Sequence, residues 1–115
     1  MKKFLAIYLG TAAARKNWDS LNEAKRQELQ RSGVEAWHAW VNANKTAIVE
    51  MGSPLGKTKR ISRDGITDAR NDLGAYTVVQ AESYEAAAKM FEKHPHFMIF
   101  PGEAVEVMEC LPIPQ

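Results

Sequence analysis

The chain has 115 residues, 15 Lys+Arg against 14 Asp+Glu for a net charge of +1, and 45% hydrophobic residues. That balance excludes a disordered chain, and it lacks the basic surplus of a nucleic-acid binder. No stretch reaches the ~20 apolar residues of a membrane span. A single cysteine, Cys110, excludes an internal disulfide and a cysteine-only zinc site. One domain over residues 1–115, in the cytoplasm, is the expectation.

The opening MKKFLAIYLG pairs two lysines with an apolar run too short for a secretory signal. Lys3–Leu9 is instead expected as a buried strand, and Gly10–Trp18 as a loop. Ser20-Leu21-Asn22-Glu23 fits a capping box, and Ser32-Gly33-Val34-Glu35 fits a second. The apolar phase also changes at the second box. Leu21, Ala24 and Leu29 share one side of an ideal helix, and Val34, Trp37 and Val41 lie nearly opposite. Two helices are therefore predicted, Leu21–Gln30 and Val34–Ala43, with a break at Ser32-Gly33. One kinked helix is the alternative.

Thr46–Met51 reads as a short buried strand, and the Gly52–Gly56 segment as a loop punctuated by glycine and proline. Lys57–Arg63 alternates charge with Thr58 and Ile61, as an exposed hairpin arm does, and Asp64-Gly65 is a turn signal. Ile66–Leu73 is polar and is expected as loop. Ala75–Ala81 alternates Tyr76, Val78 and Gln80 on one face with Thr77, Val79 and Ala81 on the other, the pattern of a strand. Ser83 caps a helix whose stripe is Tyr84, Ala87, Ala88 and Phe91. Pro95 disfavours a helical His94 and ends that helix. Ala104–Leu111 is the last strand.

This order gives a core βαββαβ arrangement, which predicts an α+β, ferredoxin-like antiparallel sheet with helices on one face. Tyr76, Val78 and Met108 are too apolar to leave in water on the other face. Two such sheets facing each other would bury them, so a homodimer is expected.

From Val34 to Glu109 the chain resembles the YCII-related proteins, in the branch named for an Asp-Gly-Pro-Phe motif. The resemblance rests on the strand leading into Gly52-Ser-Pro-Leu55, the Asp64-Gly65 turn, Thr67-Asp68 and Gly74-Ala-Tyr76. It continues in the alanine-rich helix that runs to His94-Pro95 and in the strand Val105-Glu-Val107 introduced by Gly102. It implies a dimeric α+β barrel with a cleft between sheet and loops, and a His/Asp pair as active centre. Ala69-Arg70-Asn71 stands where the signature has Gly-Pro-Phe, so the tight turn of the motif is not encoded. Leu21–Gln30 is extra relative to short members.

The resemblance points to His94 as general base oriented by Asp68; Arg70, Tyr76 and Trp40 are the residues expected, from their chemistry, to hold the substrate. A carboxylate beside an imidazole fixes its tautomer and stabilises its charged form. The plainer alternative is that His94 merely ends a helix and bonds a carbonyl. His94 and His96 could form a metal pair with Glu106, Glu109 or His38 as third ligand, although zinc sites ordinarily show three or four clear ligands. Gly52-Ser-Pro-Leu-Gly56-Lys57-Thr58 is one residue short of a phosphate loop and precedes strand-like sequence, so it is set aside. Lys57, Lys59, Arg60, Arg63 and Arg70 could attract an anion or simply protect a hairpin edge. Trp37 fits the core stripe, Trp40 suits a pocket or dimer interface, His38 suits a helix surface, and Cys110 reads as a small hydrophobe.

The expected function is a small cofactor-free enzyme of lyase or isomerase type acting on an anionic or aromatic metabolite. A non-catalytic binding or interaction module using the same cleft is the alternative. No nucleic-acid or membrane partner is expected.

Overall fold

A computed structural model describes residues 1–114. Four strands form one antiparallel sheet: β1 (Lys2–Leu9), β2 (Ile48–Glu50), β5 (Leu73–Ala81) and β6 (Ala104–Glu109), in the spatial order β2-β5-β1-β6. Phe4 stands opposite Val79 and Glu109, and Ala6 opposite Thr77 and Val107. This is the ferredoxin-like arrangement the element order predicts. The hairpin β3 (Thr58–Ser62) and β4 (Gly65–Ala69) is inserted between the second and third core strands.

Helices cover one face of this sheet. Phe4, Ala6 and Tyr8 of β1 and Val79 and Ala81 of β5 are buried against Ala87 and Phe91, with Trp40, Met90, Val105 and Val107 packed around them. The other face has no cover among the described residues. Leu5, Ile7 and Val78 are only partly buried there, and Met108 is 43% exposed. The alternation along β5 is the one expected from sequence.

Three local expectations are corrected. Ala12–Asp19 is a helix (α1) rather than a loop, because Thr11 caps it by accepting the Ala14 N–H and three alanines follow. The helix after it runs unbroken from Glu23 to Ala43 (α2), starting at the Asn22 cap rather than Ser20. It does not break at Ser32-Gly33. A Cβ on Gly33 would lie 2.4 Å from Cζ of Phe100, so this buried glycine is where the helix admits an aromatic ring. Gly65–Ala69 is a strand, because Asp68 and Thr67 pair with Lys59 and Arg60 across the turn. Cross-strand pairing outweighed the polarity that suggested a loop.

The chain from Ser83 to Phe100 positions the site. Ser83 caps α3 (Tyr84–Lys89) by accepting the Ala86 N–H. Lys93 then takes a left-handed φ of 55°, an unfavourable conformation for a residue with a Cβ. His94-Pro95 thus does more than stop a helix. It starts another, α4 (Pro95–Met98), with His94 as N-cap and Pro95 in the first turn.

Candidate functional site

The His94 ring is 2% exposed and sits among aromatic rings. Ring centroids lie 4.8 Å away at Trp40, 5.1 Å at Tyr8 and 5.8 Å at Phe91. Nδ1 accepts the backbone N–H of His96 at 3.0 Å, which is the cap of α4. An accepting Nδ1 leaves the proton of the neutral ring on Nε2. That Nε2 is buried and has no hydrogen-bond partner among the described residues. Burial, and then the nearby His96, push the His94 pKa from 6.5 down to about 4. The ring is therefore a neutral hydrogen-bond donor at pH 7.

His96 is held the opposite way round. Its Nε2 lies 2.6 Å from the Leu9 carbonyl. A carbonyl can only accept, so Nε2 carries the proton and Nδ1 is the free acceptor. Burial lowers the His96 pKa, and the Leu9 hydrogen bond opposes that shift. Tyr8 joins both imidazoles, with its ring 5.3 Å from that of His96. The Thr77 hydroxyl donates to the Met51 carbonyl at 3.0 Å, so Tyr8 must donate to Thr77 Oγ1, at 2.8 Å. Burial raises the Tyr8 pKa.

Tyr8, His94 and His96 line a cavity of about 400 Å³. Its other walls are Val34 and Trp37 of α2, Met51–Pro54, Ala75–Thr77 of β5, and Phe100. The volume and apolar lining suit a small organic ligand. Among the described residues no lysine, arginine, aspartate or glutamate lines it.

The expected partners of His94 are distributed differently. Asp68 pairs with Lys59 at 2.5 Å on the hairpin, with 86% of its side chain exposed, and makes no bond to His94 within the chain. Arg70 lies with it in a separate polar groove along β3 and β4, with Lys57, Lys59 and Asn71. Within the chain, Nδ1 of His94 is occupied by the His96 backbone N–H rather than by a carboxylate. Replacing Asp68 with asparagine is expected to change stability by less than about 1 kcal/mol, as for exposed ion pairs generally, in urea unfolding. It should leave ligand binding in the cavity unaltered.

Tyr76 lies beside the cavity, but its hydroxyl donates to Glu50 at 2.8 Å, and this bond, followed by the Glu50 charge, raises its pKa. The two tryptophans exchange the places expected of them. Trp37 lines the cavity, whereas Trp40 packs on the core and donates Nε1–H to the Met90 carbonyl at 2.7 Å. His94 and His96 gain no third metal ligand: no three His, Cys, Asp or Glu residues converge among the described residues. Tyr8, Thr77 and Phe100 escaped the sequence reading. Tyr8 alone left a signal, as a polar tip on an inward position of an otherwise apolar strand. Phe100 could have been found only through Gly33.

No protein-family model and no curated protein matches the sequence. Among solved structures, the chain is similar to 5-chloro-2-hydroxyhydroquinone dehydrochlorinase from Burkholderia phenoliruptrix in complex with 2,5-dihydroxybenzoquinone. The TM-score is 0.52 at 18% identity, covering 92% of this chain and 90% of the other. That likeness shows a shared fold. No helix among the described residues is long and apolar enough to cross a membrane.

Proposed function

We propose that the chain is a YCII-related, cytoplasmic homodimer and a small enzyme that moves a proton on an uncharged, hydroxylated aromatic molecule, by lyase or isomerase chemistry that needs no cofactor. The observation that carries this reading is the buried His94, with an unpartnered Nε2–H, in the wall of an apolar cavity. A buried donor without an acceptor costs about 1–3 kcal/mol. An oxygen on a bound ring would satisfy it. The choice between anionic and aromatic substrates falls to the aromatic one, since the cavity is lined by aromatic and aliphatic groups and by no permanent cation. The similar structure carries a hydroxylated quinone, which is in keeping with that class.

Benzene-1,2,4-triol tests the reading, because its ring hydrogens exchange with solvent through keto tautomers. In deuterated buffer the protein is expected to accelerate that exchange, followed by NMR. His94→Asn keeps an acceptor for the His96 N–H but deletes Nε2–H, and should lower the rate by about 10²-fold or more. Binding without any acceleration would instead leave a ligand-binding module. No binding would remove the reading altogether.

The open sheet face supports the homodimer. Leu5, Ile7, Val78 and Met108 form an apolar surface on three adjacent strands, which a second copy would cover by a two-fold pairing. Met108→Lys is expected to convert the dimer to a monomer in light scattering. An unchanged mass would place any dimer contact elsewhere.

A further inference from the structure

The two imidazoles differ in what they can offer a ligand. His94 spends Nδ1 on a backbone N–H and is left with a donor; His96 spends Nε2–H on a backbone carbonyl and is left with an acceptor. Both fixed bonds are to main chain, so neither ring can exchange roles by rotating without losing its anchor. Gly102 makes the His96 position possible. A Cβ there would stand 2.2 Å from His96 Nε2 and 2.4 Å from its carbonyl oxygen, while the Gly102 N–H donates to that carbonyl at 2.9 Å. The loop that introduces β6 therefore packs directly on the ring.

We propose that His96 is the proton acceptor of this site, through Nδ1, and that His94 acts as donor to the oxygen that gains charge; the proposal rests on the proton-transfer reading above. For a keto tautomer of a hydroxylated ring, the step balances as an isomerisation. His96 Nδ1 takes the proton from the sp³ ring carbon. The electron pair of the broken C–H bond restores the aromatic π system, and the carbonyl oxygen becomes a phenolate oxygen. That oxygen accepts the hydrogen bond from His94 Nε2–H. It then takes a proton from solvent, and His96 returns its own proton to solvent. No oxidant, reductant or metal enters the balance, and Asp68 has no part in it.

Long-range ¹H–¹⁵N NMR of histidine-labelled protein at neutral pH, with and without hydroquinone, tests this. His96 is expected to carry its proton on Nε2, and hydroquinone should shift its unprotonated Nδ1 signal together with the His94 Nε2–H signal. His96→Gln can still donate to the Leu9 carbonyl but has no basic nitrogen. It should bind hydroquinone with less than about tenfold loss, and lose about 10²-fold or more of the benzene-1,2,4-triol exchange rate. A proton on His96 Nδ1, an Nδ1 signal unmoved while hydroquinone shifts His94, or full exchange activity in His96→Gln would overturn the assignment and leave the cavity reading intact. No imidazole shift at saturating hydroquinone would overturn both.

Discussion

Acidification from pH 7 to below pH 4 is expected to cost the fold about 3 kcal/mol through His94 alone. The cause is the difference between its ordinary value of 6.5 and its value of about 4 in the folded protein. The sign follows from proton counting. Between those two values the unfolded chain binds the proton and the folded chain does not, so stability falls as pH falls. Above about 6.5 both states are neutral and the contribution is complete. Below about 4 both are charged and it has gone. That difference, at roughly 1.4 kcal/mol per pH unit, sets the order of magnitude. His96, also shifted down by burial, adds in the same direction. Urea unfolding across this range should show a steeper loss for the wild type than for His94→Phe, which has nothing to protonate there. The variant also loses the α4 cap and starts from a lower stability, so the diagnostic quantity is the slope with pH. Equal slopes would mean that His94 takes up its proton in the folded protein as readily as in the unfolded chain.

Gly52→Ala is expected to lower the unfolding temperature by more than about 10 °C, from a loss above about 3 kcal/mol. Gly52 has a φ of +72°, where a Cβ is disfavoured, and an added Cβ would stand 1.8 Å from the Tyr76 carbonyl oxygen. That oxygen belongs to β5, so the clash cannot be relieved by turning a side chain. The loop after β2 is laid along β5 by the Leu55 N–H to the Gly74 carbonyl at 2.8 Å and by the pairing of Pro54 with Ala75. Met51–Pro54 is one wall of the cavity, so the variant should lose hydroquinone binding along with stability. A thermal unfolding midpoint within a degree or two of wild type would show that this loop is not seated on β5.

The sheet was legible because its strands carry their own period. Thr77, Val79 and Ala81 face the helices and Tyr76, Val78 and Gln80 do not, as alternation requires. Polar segments were harder. The Ile66–Ala69 strand owes its form to pairing with Thr58–Ile61, a relation between two segments that neither shows alone. Helix α2 runs through Ser32-Gly33, and Gly33 stands there because the ring of Phe100, 67 positions away, fills the space a Cβ would take. The helix signal there was correct in composition and misleading in phase.

The site was legible in part for a related reason. His94 and His96 stood out because Pro95 between them marks a bend, and bends at helix ends present side chains inward. Their roles depend on the His96 N–H and the Leu9 carbonyl, backbone groups with no trace in residue identity. Within the chain Asp68 pairs with Lys59 instead, a partner that the sequence did not point to. A carboxylate near a histidine in a motif says nothing of the lysine opposite it, and Lys59 sits directly across the hairpin. Burial also acts on the His94 ring in the opposite sense to a carboxylate. A carboxylate would have raised its basicity, whereas the aromatic cage lowers it.

A crystal structure of the protein with bound hydroquinone would show directly where the ligand sits. The ring is expected in the cavity between α2, the Met51–Pro54 loop and β5, with one oxygen within hydrogen-bond distance of His94 Nε2. Hydroquinone seated instead in the polar groove beside Asp68 and Arg70, with the cavity empty, would contradict that placement.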